Sequence, residues 1–157
     1  MNINDLFEEE QIGMVSKTPL VIRAIKHPSE VVQLAAVRHY GPVIEFIENP
    51  SEAVQLAAVQ ETGSAIGLIR VPITEMVQLA AVQKDGYSIQ FIKNPSENAQ
   101  ISAVSSHPGA IRVIKNPSEA VQLAAIQHDP QAINYVLNPS EELKAYAELL
   151  QLDREPS

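Results

Sequence analysis

A chain of 157 residues without cysteine is long enough for one domain with a sizeable core, and it excludes disulfides, thiol catalysis and cysteine-ligated zinc. Its formal charge of −8 disfavours nucleic acid, whose phosphates are neutralised by Lys and Arg, and suits a basic protein partner better. No apolar run approaches the roughly 20 residues that cross a bilayer, and the acidic residues 1–10 do not form a basic-then-apolar leader, so a cytoplasmic protein is expected.

Residues 1–27 read as an N-terminal cap and first unit, with residues 5–11 as its divergent first helix and residues 19–26 as its second. From 28 to 138 the chain repeats itself five times. Gln33, Gln55, Gln78, Gln100 and Gln122 mark the register. A fixed period in this range is the mark of stacked repeats, each too small to bury its own apolar faces. Aromatic residues make up only 4% of the chain, and small side chains suit thin, closely packed layers.

Within one unit, Asn49 precedes Pro50, Ser51 and Glu52. Asparagine is a favoured N-cap, proline is tolerated at the first helical position, and a glutamate at the third can reach back to the cap. The same pattern stands at residues 94–97, 116–119 and 138–141, with a weaker version at 27–30. The first helix, about 50–60, is apolar nearly all round, as expected for a helix buried on both flanks. Gly41, Gly63 and Gly86 read as left-handed stops. Pro108 and Pro130 hold that place later, with His107 and Asp129 as caps. The second helix, about 64–70, turns Ala65, Ile66, Leu68 and Ile69 inward, and Phe46, Phe91 and Tyr135 fall in the matching inward sets. A helix this short is marginal unless docked on its neighbours.

Two departures follow. Residues 71–75 carry one extra residue and lose the asparagine, which predicts a bulged loop or altered stacking angle. Residues 139–152 begin as a further unit and turn polar, which predicts a capping helix with Leu143, Ala147 and Leu150 inward. Residues 153–157 read as a frayed tail. The whole is an all-α solenoid of about six short helix pairs with divergent capping helices at both ends.

The motif Pro-Ser-Glu-x-Val-Gln-Leu-Ala-Ala-Val, a glycine four residues on, and a following Ile-x-(Phe/Leu)-Ile-(Lys/Arg)-Asn resemble a family of short bacterial and phage helical repeats of unknown function. More loosely, the chain resembles solenoids of the HEAT and armadillo type. The resemblance covers about residues 19–138 and implies binding rather than catalysis, with no functional residue to carry over.

The polar columns have structural readings. The glutamines tie helices to neighbouring loops, or else form a ladder for a peptide backbone. Glu30, Glu52, Glu75, Glu97, Glu119 and Glu141 suit the positive ends of helix dipoles. His27, His39, His107 and His128 show no metal-ligand spacing, and no nucleophile motif or phosphate loop is present. The expected protein is not an enzyme and needs no cofactor. Function is expected where the repeats differ. In the inter-helix turns the candidates are Arg38, His39, Tyr40, Lys84, Tyr87, His107 and His128. On the second helices they are Arg70, Lys93, Arg112 and Lys115, a basic strip in an acidic protein. These residues suggest a protein-binding module acting through its turns or its second-helix face. The alternatives are a phage-type inhibitor docking on a host or defence protein, and a structural protein that self-associates into homo-oligomers.

Overall fold

In the computed structural model, which describes residues 2–154, long and short helices alternate and no strand occurs among the described residues. The α-helices are α1 (Glu8–Lys17), α2 (Glu30–His39), α3 (Glu52–Glu61), α4 (Glu75–Lys84), α5 (Glu97–Ser106), α6 (Glu119–His128) and α7 (Glu141–Leu152). The short elements are 3-10 helices: η1 (Ile3–Asp5), η2 (Pro19–Ala24), η3 (Gly41–Phe46), η4 (Gly63–Leu68), η5 (Gly86–Phe91), η6 (Pro108–Val113) and η7 (Pro130–Tyr135). Each α-helix packs on the next α-helix, and from η2 onward each η helix packs on the next η helix. The result is a two-layered solenoid of six pairs closed by α7.

The recurring α sequence explains the α layer. Its third, seventh and eighth residues, such as Val54, Ala58 and Val59, are fully buried. The fifth and sixth, such as Leu56 and Ala57, are half-buried on the flank. Alanine at two of these five positions lets neighbouring helices approach closely. The apolar core runs the length of the stack in three clusters, from Val15 to Ala65, from Val59 to Val136, and around Ile126, Leu143 and Ala147. Ile69 packs against both of the first two.

Helix starts differ from expectation by two residues. The N-cap is the serine, not the asparagine: Ser29, Ser51, Ser96, Ser118 and Ser140 are extended and accept a hydrogen bond from the amide of the third helical residue. Thr74 does the same for α4. Proline therefore lies outside the helix, where it holds the entering chain extended. The glutamate becomes the first helical residue, still at the positive end of the dipole, and is too early to reach back. Instead it reaches sideways. Glu30 accepts from the Ser51 hydroxyl, Glu52 from Thr74 and Glu97 from Ser118, each in the following repeat. Glu75 accepts from Asn98 Nδ2 at 3.0 Å. One column of side chains thus caps its own helix while the adjacent column staples neighbouring repeats.

The glycine reading is also corrected. No glycine has a positive φ among the described residues. The residues that end the α-helices, Tyr40, Thr62 and Asp85, are extended. Glycine is required because the next α-helix passes so close. A Cβ on Gly41 would lie 2.4 Å from the Ala58 carbonyl oxygen, one on Gly63 2.7 Å from that of Ala81, and one on Gly86 2.6 Å from that of Ala103. The left-handed positions are elsewhere, at Asn116 (φ 50°) and Asn138 (φ 54°), a conformation asparagine tolerates.

The second helices are 3-10 rather than α-helical. Six residues leave little room for i→i+4 bonding, and the three-residue turn rises faster per residue. The side chains that face inward also differ from expectation. Ile44 and Ile47, Ile66 and Ile69, and Ile89 and Ile92 share the inner face. Phe46, Phe91 and Tyr135 move out and are 40%, 50% and 45% exposed.

Both ends are more regular than expected. The first helix is α1, not residues 5–11, and Gln11 lies 22 residues before Gln33 in register with the glutamine column. Asn4 latches the N-terminus: its Oδ1 accepts from the Lys26 amide at 2.8 Å, and its Nδ2 donates to the Ala24 carbonyl at 3.3 Å. At the other end α7 buries Leu143 and Ala147 as expected. Arg154 is not frayed. Its guanidinium donates to the Gln127 and His128 carbonyls at 3.0 and 3.3 Å. Residues 155–157 of the expected tail lie outside the described residues.

Candidate interaction surface

The glutamine column is structural. The Nε2 of Gln33, Gln55, Gln100 and Gln122 donates to the carbonyl of Pro28, Pro50, Pro95 and Pro117, at 2.9 to 3.2 Å. Each amide clamps the loop that enters its own helix. Gln78 differs because of the extra residue at 71–75. Its Oε1 accepts from the Ser96 amide of the next repeat at 2.9 Å. The insertion is taken up in the loop between η4 and α4, and α3 still packs on α4.

The structure divides the candidate residues between the two ends of the η helices. At the turn end lie Arg38, His39 and Tyr40 after α2, Lys84 and Tyr87 around the α4–η5 turn, His107 before η6, and His128 at the end of α6. Arg38 borders a shallow groove between α2 and α3 with Leu34, Ala53, Leu56 and Glu61. His39, Lys84 and His128 are exposed. His107 is committed to the scaffold, since its Nδ1 accepts from the Gly86 amide at 3.2 Å. Glu61 serves the Gly41 amide in the same way. Pro108 and Pro130 carry no N–H and need no such acceptor. The Tyr87 ring stands 5.9 Å from that of His107, with its hydroxyl over Gly109. Much of this end is therefore a seam that joins repeats.

At the other end of the η helices lie Arg70, Lys93, Arg112 and Lys115. Arg70 pairs with Glu45 at 3.3 Å. Lys93, Arg112 and Lys115 form no ion pair among the described residues. The Arg112 guanidinium lies over the Tyr135 ring, 5.0 Å from its centroid, and Arg23 lies 5.5 Å from that of Phe46. Such stacking holds a cation beside an apolar surface without removing its charge.

The aromatic members of this face are the residues that the sequence reading placed inside. Phe46, Phe91 and Tyr135 occupy one column of the η helices, with Leu68 and Val113 half-buried between them. Leu137, at 91% exposure, extends the apolar surface. Spacing within one second helix does not mark this column as exposed, since Val43, Ser88 and Ala132, three residues before its aromatic members, are fully buried. Among the described residues, no three His, Asp or Glu side chains gather in a way that could hold a metal ion, and no helix is long and apolar enough to cross a membrane.

The fold and this surface define the chain as a helical-repeat solenoid. Comparison with protein-family models, with curated proteins and with solved structures yields no match.

Proposed function

We propose that this protein is a non-catalytic interaction module that binds a partner protein across its η-helix face. The observation that carries this reading is the aromatic column Phe46, Phe91 and Tyr135, left 40–50% exposed beside Lys93, Arg112 and Lys115. Exposed aromatic rings and arginines are the side chains most often found to anchor protein interfaces. The turn end is the weaker candidate because Glu61 and His107 are spent on inter-repeat hydrogen bonds.

End-to-end self-association is opposed by charge. Asp5, Glu8, Glu9 and Glu10 outweigh Lys17 at one end of the stack, and Glu141, Glu142, Glu148 and Asp153 outweigh Lys144 and Arg154 at the other. Like charges brought together across such an interface repel.

The test is capture from a bacterial lysate by three immobilised proteins: the wild type, the face variant Phe91→Ala/Tyr135→Ala, and the turn variant His39→Ala/Lys84→Ala. Circular dichroism verifies that each is folded. The reading expects a partner held by the wild type and the turn variant and lost by the face variant. Retention by the face variant overturns it. If the protein acts as an inhibitor, the captured partner loses its activity on binding.

A further inference from the structure

We propose that two consecutive grooves on the η face receive an extended acidic segment of the partner protein. The proposal rests on the interaction reading above and adds the chemistry of the partner. The first groove is walled by Lys93 and Lys115, with Pro95, Gln100 and Ile114 between them. The second begins at Lys115 and Ile114 and continues past Arg112 to Tyr135 and Leu137. Because the two share Ile114 and Lys115, they form one channel that crosses two repeat boundaries.

Charge singles out this pair. The same groove recurs between η2 and η3, lined by Arg23, Lys26, Pro28, Gln33 and Phe46, but there Glu48 stands where Lys115 stands in the first groove. The N-terminal copy is therefore electrically mixed, Glu48 facing Arg23 and Lys26. The C-terminal pair presents Lys93, Arg112 and Lys115 with no ion-pair partner among the described residues. In a chain of charge −8, this is where an anionic ligand is attracted rather than repelled.

Geometry sets the spacing of the ligand. Neighbouring helical layers pack about 8–10 Å apart, and an extended chain advances about 3.3 Å per residue. An extended peptide thus passes one repeat about every three residues. It can set an apolar side chain against Ile92 and Ile114 and the next against Tyr135 and Leu137, with its acidic residues beside the lysines. A single-stranded nucleic acid also combines negative charge with stacking surfaces. It is disfavoured because the cations are few and the acidic Glu45 and Glu48 stand further along the same face.

Fluorescence anisotropy with a fluorescein-labelled peptide of three Leu-Glu-Asp triplets tests the proposal. Comparison ligands are three Leu-Gln-Asn triplets, three Leu-Lys-Arg triplets and a labelled twelve-residue oligothymidylate. The acidic peptide is expected to bind at least roughly tenfold tighter than the others and to weaken with added salt. Lys93→Glu/Lys115→Glu should weaken it by roughly tenfold or more, whereas Lys26→Glu in the mixed groove should leave it unchanged. Equal binding of the neutral or basic peptide overturns the proposal, as does tighter binding of the oligothymidylate or indifference to the double reversal. If the acidic peptide fails while Phe91→Ala/Tyr135→Ala still releases the lysate partner, the acidic-segment proposal falls and the interaction reading stands.

Discussion

The amide of Gly86 and the imidazole of His107 join two repeats: the N–H donates to Nδ1 across 3.2 Å, and Gly86 is itself buried. A buried donor left without an acceptor costs about 1–3 kcal/mol. His107→Ala should therefore lower unfolding stability by that amount in urea denaturation. His39→Ala, at an exposed turn position, should stay within about 0.5 kcal/mol of the parent. Equal losses at both histidines would show that the cross-repeat bond contributes nothing.

Glycine substitutions separate two explanations for Gly41, Gly63 and Gly86. If these residues served a left-handed conformation, asparagine would be a tolerable replacement. Their φ values are not positive, and a Cβ would meet the backbone of the next helix at 2.4 to 2.7 Å. Any side chain must then push repeats apart, so Gly63→Ala and Gly63→Asn should each cost about 1–3 kcal/mol or more, the scale of overpacking. Gly13 is the control. It lies within α1 with nothing within 4 Å of its would-be Cβ, so Gly13→Ala should raise stability by up to about 1 kcal/mol through helix propensity.

The helix start can be tested by paired changes in one loop. Ser118 accepts from the Val121 amide and donates to Glu97. Losing such a cap costs about 0.5–2 kcal/mol, which Ser118→Ala should show as a lowered denaturation midpoint. Asn116 has φ 50° and precedes the cap by two residues, so Asn116→Gly should be near neutral and Asn116→Val clearly unfavourable. A larger loss at Asn116→Gly than at Ser118→Ala would return the cap to the asparagine.

These tests follow the line between what the chain states and what packing decides. The register of Gln33, Gln55, Gln100 and Gln122 was legible because each amide acts within its own repeat, on a carbonyl five residues back. The inward faces of the α-helices, and of Leu143 and Ala147 in α7, follow from ordinary helical spacing. The reason for Gly63 was not legible, since its neighbour Ala81 belongs to another repeat. Nor were the cross-repeat acceptors Glu30, Glu52 and Glu97. Their local positions suggest only helix ends, and their hydroxyl partners lie 21 or 22 residues on. The outward turn of Phe91 was not legible either, because Ser88, three residues before it, is fully buried and local spacing does not separate the two. The candidate surface was accordingly half visible, its lysines and arginines from sequence and its aromatic column only from structure.

Ser88 is a polar residue in an apolar column. It is fully buried, and its hydroxyl has no hydrogen-bond partner. Ala65, Ala110 and Ala132 occupy the equivalent place and are equally buried. Removing an unsatisfied buried hydroxyl relieves a penalty of about 1–3 kcal/mol. Ser88→Ala should therefore raise the melting temperature, by about 2–4 °C for each kcal/mol gained. A lower melting temperature would mean that the hydroxyl is satisfied in solution.

The last helix carries the remaining prediction, which concerns solubility as well as stability. Ile126 on α6 is fully buried under Leu143 and Ala147 of α7, and Arg154 adds two hydrogen bonds to the end of α6. In a repeat array each unit is stabilised by its neighbours, and a terminal cap is what keeps the final apolar face from water. Leu143→Ala should cost about 2–5 kcal/mol as a large-to-small core change. Leu143→Asp should undock α7 altogether and leave Ile126 and Leu123 open to a second molecule. Sedimentation velocity should then find the parent monomeric at all concentrations, because both of its ends are acidic, and the Leu143→Asp protein increasingly associated as concentration rises. A monomeric Leu143→Asp protein that keeps the parent's melting temperature would show that α7 is not the cap.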